Sequence, residues 1–289
     1  MFSLIITLMI ASQLVVPFSG IVLGANTMDG NFPRRQVNTS FEPIIESKAA
    51  FVLDMKTGKV LYQKNGYEKR SIASLTKLLT ALVFLETDPD WSKNVTVTQD
   101  DRVNGGVLVL KPGEVVNLKD LFRLSLVASV NNATMSLANS TELSYAEFIE
   151  RMNLKAREIG MKESSFYEPT GIDERNQAAA EDVAHLLRSA LNDSLIRETL
   201  LTERYEFYTV SGKFHGVNNS NKLLKSYLRI EGGKTGYIDE AGYCLANLVK
   251  SDQAKEGIVV VILGASSKEQ RFQENKFLSQ WVFDNWAWE

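Results

Sequence analysis

Ile258-Val259-Val260-Val261-Ile262-Leu263 is a run of six apolar residues set between Gly257 and Gly264. A strand of this kind has no face left for water, so it belongs inside a sheet that is covered on both sides. Reading backward from it, Gly242 to Val249 and Leu228 to Thr235 have the look of two further strands, bounded by glycine or charge. Reading forward, Lys268 to Trp286 places Phe272, Phe277, Leu278, Trp281, Val282 and Trp286 near helical spacing, which predicts an amphipathic helix packed on the sheet. At the other end of the chain, Ala49 to Leu53 and Lys59 to Tyr62 read as two strands joined through Lys56-Thr57-Gly58, a hairpin signal. Between the two groups lie helical stretches at Ser74–Glu86, Leu118–Val130, Tyr145–Ile159 and Ala179–Leu191. Early strands can meet late ones only by sharing a sheet. The expectation is an α/β fold, a sheet sandwiched by helices with a mostly helical subregion as its second half.

Composition narrows what such a fold can do. The 289 residues are 44% hydrophobic and 23% charged, ordinary globular values, and the net charge of −3 offers no basic footprint for nucleic acid. Two histidines, His185 and His215, and one cysteine, Cys244, show no metal-ligand spacing and allow no disulfide framework. Neither a metal nor another cofactor is therefore expected. Cys244 reads as a small buried hydrophobe on a strand. Both histidines lack the motif context of a Ser-His-Asp base.

The N-terminus points outward. Phe2 to Ala25 carries no charged side chain, which predicts a secretory signal or an uncleaved membrane anchor. Pro17, Ser19 and Gly20 interrupt it, Val22-Leu23-Gly24 and Leu23-Gly24-Ala25 are its candidate cleavage sites, and no basic residue precedes it. Asn26 to Glu46 is polar, holds Pro33 and Pro43, and reads as a linker. The expected division is residues 1–25 as signal or anchor, 26–47 as linker and 48–289 as the folded domain.

Without a histidine base, a hydroxyl nucleophile needs another proton acceptor. Ser74-Leu75-Thr76-Lys77 supplies one, since residues three apart on a helix share a face and a buried lysine loses its proton more easily. Alone this pattern is weak. Ser129-Val130-Asn131, at the end of an apolar helix, and Lys234-Thr235-Gly236, at the end of a strand, follow in an order that matches serine penicillin-interacting enzymes. Two decoys, Ser92-Lys93-Asn94 and Lys56-Thr57-Gly58, fall in a polar loop and a hairpin turn.

The neighbouring residues sharpen this. Phe51-Val52-Leu53-Asp54 with Gly58-Lys59-Val60-Leu61, Ile72-Ala73-Ser74-Leu75-Thr76-Lys77, Gly233-Lys234-Thr235-Gly236 and Asp239-Glu240-Ala241-Gly242-Tyr243 resemble the serine D-alanyl-D-alanine carboxypeptidases, which are low-molecular-mass penicillin-binding proteins. The resemblance covers Lys48 to the C-terminus and implies a β-lactamase/transpeptidase-like fold with a central antiparallel sheet. It implies that Ser74 is the nucleophile, Lys77 its base, and Ser129 a proton relay to the leaving amine. Asn131 would hold the substrate amide and Lys77, and Lys234 and Thr235 the terminal carboxylate. Gly236 would allow close approach of the strand to the serine helix. The backbone N–H groups of Ser74 and Tyr237 would form the oxyanion hole. The implied partners are peptidoglycan stem peptides, with β-lactams as covalent inhibitors, in the cell envelope, and with the membrane if the N-terminal segment is retained.

Three departures stand out. Asn132 replaces an Asp, Ile238 a Thr, and in Phe166-Tyr167-Glu168-Pro169-Thr170-Gly171 the residues Glu168 and Thr170 replace the family's Asn and His. They bear on substrate preference and deacylation. A DD-endopeptidase of the same fold is the main alternative. A β-lactamase would need a Glu-x-x-Leu-Asn loop, which does not follow Glu168, and an idle wall-binding or sensor domain would not need intact motifs.

Overall fold

Alternation along the buried strand decides how the molecule is layered. The computed structural model describes residues 32–36, 41–103 and 109–288. The apolar segment Phe2–Ala25 lies outside the described residues. The central sheet has five antiparallel strands, β1 (Ala49–Asp54), β2 (Val60–Lys64), β3 (Arg229–Ile238), β4 (Gly242–Lys250) and β5 (Ile258–Ala265), in the order β3-β4-β5-β1-β2. β5 sits at the centre, where Val260 pairs with Asn247 on one side and Val52 on the other. The early hairpin thus joins the late strands through β1 and β5.

Successive side chains on a strand point to opposite faces. Phe51, Leu53, Val259, Val261 and Leu263 share one cluster with the helical block. Ala50, Val52, Val260 and Ile262 share another with Leu278, Trp281 and Val282 of the C-terminal helix. The helical block contains α1 (Thr76–Glu86), α2 (Leu118–Val127), α3 (Asn131–Asn139), α4 (Tyr145–Glu158), α5 (Ala180–Ala190) and α6 (Ser194–Leu201). The helix α7 (Lys268–Asn285) covers the opposite face. The short hairpin Arg204–Tyr208 with Phe214–Asn218 completes the block.

Several elements differ from expectation. The helix expected over Leu118–Val130 stops at Val127, because Ser129 adopts a left-handed φ of 61° that no α-helix propagates. A new helix, α3, begins at Asn131. β3 continues to Ile238, so Lys234-Thr235-Gly236 lies within the strand and not at its end. The α7 surface is less apolar than its spacing suggests. Phe277 is exposed, while Arg271, Glu274, Asn275 and Ser279 are buried. Their polar groups serve the backbone beneath: Asn275 Nδ2 donates to Val260 O at 3.2 Å, and Glu274 Oε1 accepts from Glu46 N at 2.8 Å and Ser47 N at 3.2 Å.

The described part of the stretch expected as a linker packs onto the domain. Arg34–Arg35 pairs with Trp286–Ala287, Ile45 is buried against α7 and the sheet, and Trp281 Nε1 donates to Phe41 O at 3.1 Å. Cys244 is buried on β4, and His215 is held by Glu114 Oε2 at 2.9 Å against the Phe207 ring. Among the described residues, no helix is long and apolar enough to cross a membrane.

Candidate active site

Ser74 sits in a 3-10 turn, Ala73–Leu75, that feeds directly into α1. Ala73 has φ of 48°, a conformation that costs an alanine about 1–2 kcal/mol and is held only by surrounding contacts. The loop after Pro169 supplies them. Gly171, with φ of 83°, passes so close that a Cβ there would lie 2.0 Å from Ala73 O, and only a glycine fits. Thr76 Oγ1 also donates to Ala73 O at 2.8 Å.

One turn further, Lys77 is fully buried. Its Nζ donates to Asn131 Oδ1 at 2.7 Å and to Thr170 O at 2.5 Å, and it lies 3.0 Å from Ser74 Oγ. A neutral amine has two hydrogens and one lone pair. The two acceptors engage the hydrogens, which leaves the lone pair for the Ser74 hydroxyl proton. Burial favours that neutral form and lowers the Lys77 pKa to about 7, against an opposing pull from the Glu168 carboxylate.

Across the cleft, Lys234 of β3 is also buried, and its Nζ donates to Ser129 Oγ at 2.7 Å. Desolvation, then Lys77 and then Arg271, hold its pKa well below the usual lysine range. The left-handed turn at Ser129 is what aims its hydroxyl at this amine. Thr235 Oγ1 donates to Ser220 Oγ at 2.6 Å, just past the short hairpin. Gly236 has no space for a side chain, since a Cβ would stand 2.9 Å from Ile72 O and 3.1 Å from both Ala73 Cβ and Ser74 N. That contact brings the β3 backbone up to the Ser74 turn. β3 is an edge strand, so alternate peptide groups along it face the cleft without a sheet partner. Tyr237 lies on that edge next to Gly236, with its ring stacked on Tyr243.

The fold therefore brings Ser74, Lys77, Asn131 and the Thr170 carbonyl into one cluster, and Ser129, Lys234 and Thr235 into a second beside it. Both decoys lie elsewhere and are spoken for. Thr57 Oγ1 donates to Asp54 Oδ2 at 2.6 Å within the β1–β2 turn, and Ser92 Oγ donates to Asp90 Oδ1 at 2.6 Å. Of the departures, Asn132 points into the helical block and donates to Leu110 O at 2.7 Å, and Ile238 is packed into the core. Three participants escaped sequence reading. Ser220 stands in a polar run without a motif. Arg271 falls between the apolar positions of α7, yet it is buried and donates from Nη1 to Gly236 O at 2.9 Å and Cys244 O at 3.2 Å. The Thr170 carbonyl is a backbone group, which no side-chain motif announces.

Comparison with known proteins converges on the same family. A family model described as D-alanyl-D-alanine carboxypeptidase matches residues 36–267. The chain is 34% identical over 255 residues to the D-alanyl-D-alanine carboxypeptidase DacF of Bacillus subtilis, covering 86% of this chain and 65% of that protein. It is 31% identical over 249 residues to a D-alanyl-D-alanine endopeptidase of Escherichia coli, covering 84% of this chain and 79% of the relative. Among solved structures, penicillin-binding protein D2 of Listeria monocytogenes in its ampicillin-bound form superposes with a TM-score of 0.74 at 25% identity, covering 84% of this chain and all of that one.

Proposed function

The chain belongs to the D-alanyl-D-alanine carboxypeptidase family, and from that premise we propose that it removes the terminal D-alanine of peptidoglycan stem peptides through an acyl-enzyme. The observation that carries this is Lys77 Nζ, buried and aimed at Ser74 Oγ by two carbonyl-type acceptors. Ser74 Oγ attacks the carbonyl of the penultimate D-alanine while its proton passes to neutral Lys77. The developing oxyanion is met by the N–H groups of Ser74 and Tyr237, and losing one such donor typically costs about 10²–10³ in rate. Ser129, between the cleft and Lys234, returns a proton to the leaving amine. Lys234 and Thr235 hold the terminal carboxylate in a site where Arg271 adds positive field. Asn131 divides its amide between Lys77 and the substrate. Water then hydrolyses the acyl-enzyme, which releases the shortened peptide and restores Ser74.

A β-lactam offers a strained amide and a carboxylate in similar places, and so is read as a covalent inhibitor. The ampicillin-bound relative supports this. Slow release of the penicilloyl group follows from the position of Glu168. Its carboxylate accepts from Thr170 N, Thr170 Oγ1, Gly171 N and Asn176 Nδ2, and is thereby committed to the loop instead of a deacylating water. Such chemistry belongs outside the cytoplasm. Residues 1–25 are assigned to export, as a signal or as a retained anchor, and the mature N-terminus found by sequencing the protein from cells distinguishes the two.

The test pairs intact-protein mass spectrometry after penicillin with an assay for free D-alanine from a peptide ending in D-Ala-D-Ala. A lasting adduct with D-alanine release is the expected result. Rapid penicillin turnover without an adduct would make the chain a β-lactamase. Cleavage of cross-linked peptides without D-alanine release would make it an endopeptidase, like the Escherichia coli relative.

A further inference from the structure

Glu168 departs from the residue expected in the family pattern, and the structure places it where that departure has a chemical consequence. We propose that Glu168 is a positioning residue for acylation: through the Thr170–Gly171 peptide, its carboxylate orients Lys77 and sets how readily that lysine gives up its proton. The proposal rests on the reading of Ser74 and Lys77 as nucleophile and base.

The geometry is a line of three groups. Glu168 Oε1 accepts from Gly171 N, and the carbonyl of that same peptide, Thr170 O, accepts from Lys77 Nζ at 2.5 Å. In a trans peptide the N–H and C=O point in opposite directions. A carboxylate at one end and an amine at the other thus polarise the unit in the same sense, and hydrogen bonds in such chains reinforce one another. The second carboxylate oxygen takes Thr170 N at 2.7 Å and Thr170 Oγ1 at 2.6 Å, and Asn176 Nδ2 reaches Oε1 at 2.9 Å. With Asp173 N at 3.5 Å from Oε1, five donors converge on one buried acid, which suits an acceptor-only carboxylate and suits an amide poorly. The loop is pinned to α1 a second time, where Thr80 Oγ1 donates to Pro169 O at 2.6 Å.

The charges around Lys77 give the effect its direction. From β3 it faces Lys234, with Arg271 behind that strand; from α3 it faces the neutral Asn131; from the loop it faces Glu168, near which stand Tyr145 and Asp173. Burial favours the neutral amine, and Glu168 is the carboxylate that opposes it. Removing its charge lets Lys77 deprotonate at lower pH. The same removal loosens the Thr170 carbonyl and lowers the maximal rate.

The experiment is the pH dependence of acylation by a penicillin, read by intact mass, in the full chain and in Glu168→Gln. The acid limb of the variant should move down by roughly 0.5–1 pH unit, with a lower plateau. Glu168→Asp, which keeps the charge and shortens the reach, should lower the plateau with little movement of the limb. If the Gln variant folds poorly, Glu168→Asn carries the same test. A plateau that falls while the limb stays in place in both neutral variants overturns the proposal, because a merely structural loop acid would do that. Titration of the Lys77 ε-methylene by NMR, assigned by its loss in Lys77→Ala, reads the same shift without enzyme activity. A wild-type chain that no penicillin acylates would sink the enzymatic reading, whereas an unmoved Lys77 titration in an active enzyme would sink only the role of Glu168.

Discussion

A lysine is an unusual base because water holds its proton tightly, so in the proposed mechanism the balance between burial and partners at Lys77 decides the chemistry. Burial lowers its pKa from 10.5 to about 7, which makes a large fraction neutral at physiological pH. Acylation by penicillin should therefore rise through an inflection near pH 7 and level off above it, and rate measurements across pH 5.5–9 will show whether it does. Stability follows the same proton. The folded pKa lies below the unfolded one, so between about pH 7 and 10.5 the unfolded chain binds more protons, and stability from this group rises with pH across that window. Thermal unfolding of Lys77→Met should accordingly show a flatter rise over this range than the wild type. Ser74→Ala should fold and take up no penicillin. Lys77→Ala should lose roughly 10²–10⁴ in acylation rate, whereas Lys56→Ala should label normally. Side-chain motifs were legible at this scale because each carries its own chemistry within three or four residues. The Thr170 carbonyl and Arg271 were not, since a backbone acceptor has no identity in sequence and a lone arginine on a helix looks solvated until the fold buries it.

Two elements, α1 and β3, form the walls of the cleft, and glycines set their spacing. Gly171→Ala would put a Cβ 2.0 Å from Ala73 O at a positive φ, so destabilisation of about 3 kcal/mol or more is expected from overpacking and strain together. Gly236→Ala has no positive-φ strain but meets Ile72 O at 2.9 Å and Ala73 Cβ and Ser74 N at 3.1 Å, so β3 must move back from the Ser74 turn to admit it. That variant should stay folded but lose roughly 10- to 100-fold in acylation, because the groups on β3 shift away from Ser74. Unfolding midpoints measured beside acylation rates separate the two cases. Most elements could be read from periodicity, and the clearest were the β5 run and the α1 face. The break between α2 and α3 could not, because apolar residues continue through Leu126, Val127 and Val130 and nothing local signals a left-handed serine. The short hairpin at Arg204–Asn218 was hidden too, as its strands are mostly exposed and carry little apolar alternation.

The molecule as a whole depends on contacts between its ends. Glu274 on α7 holds the Glu46 and Ser47 amides, so Glu274→Ala should leave two N–H groups without that acceptor, cost about 1–3 kcal/mol, and lower the melting temperature without changing the pH profile of acylation. An unchanged midpoint would show that the Glu274 contact to the Glu46 and Ser47 amides contributes nothing to stability. The architecture was legible from one buried strand and from the need of early and late strands to share a sheet, and the family comparison bears that reading out. The packing of residues 32–36 and 41–47 was not, since a polar, proline-bearing segment without periodicity looks the same whether it is free or laid on a surface. That packing has a mechanical side. Arg34–Arg35 and Trp286–Ala287 are antiparallel neighbours, and Gln36 N adds a bond to Asn285 O at 3.0 Å. A pull between the two ends of the domain would load this clasp before any strand of the central sheet. It would open bond by bond, as a zip does, while β5 and the cleft beside β3 carried no load until the clasp had gone.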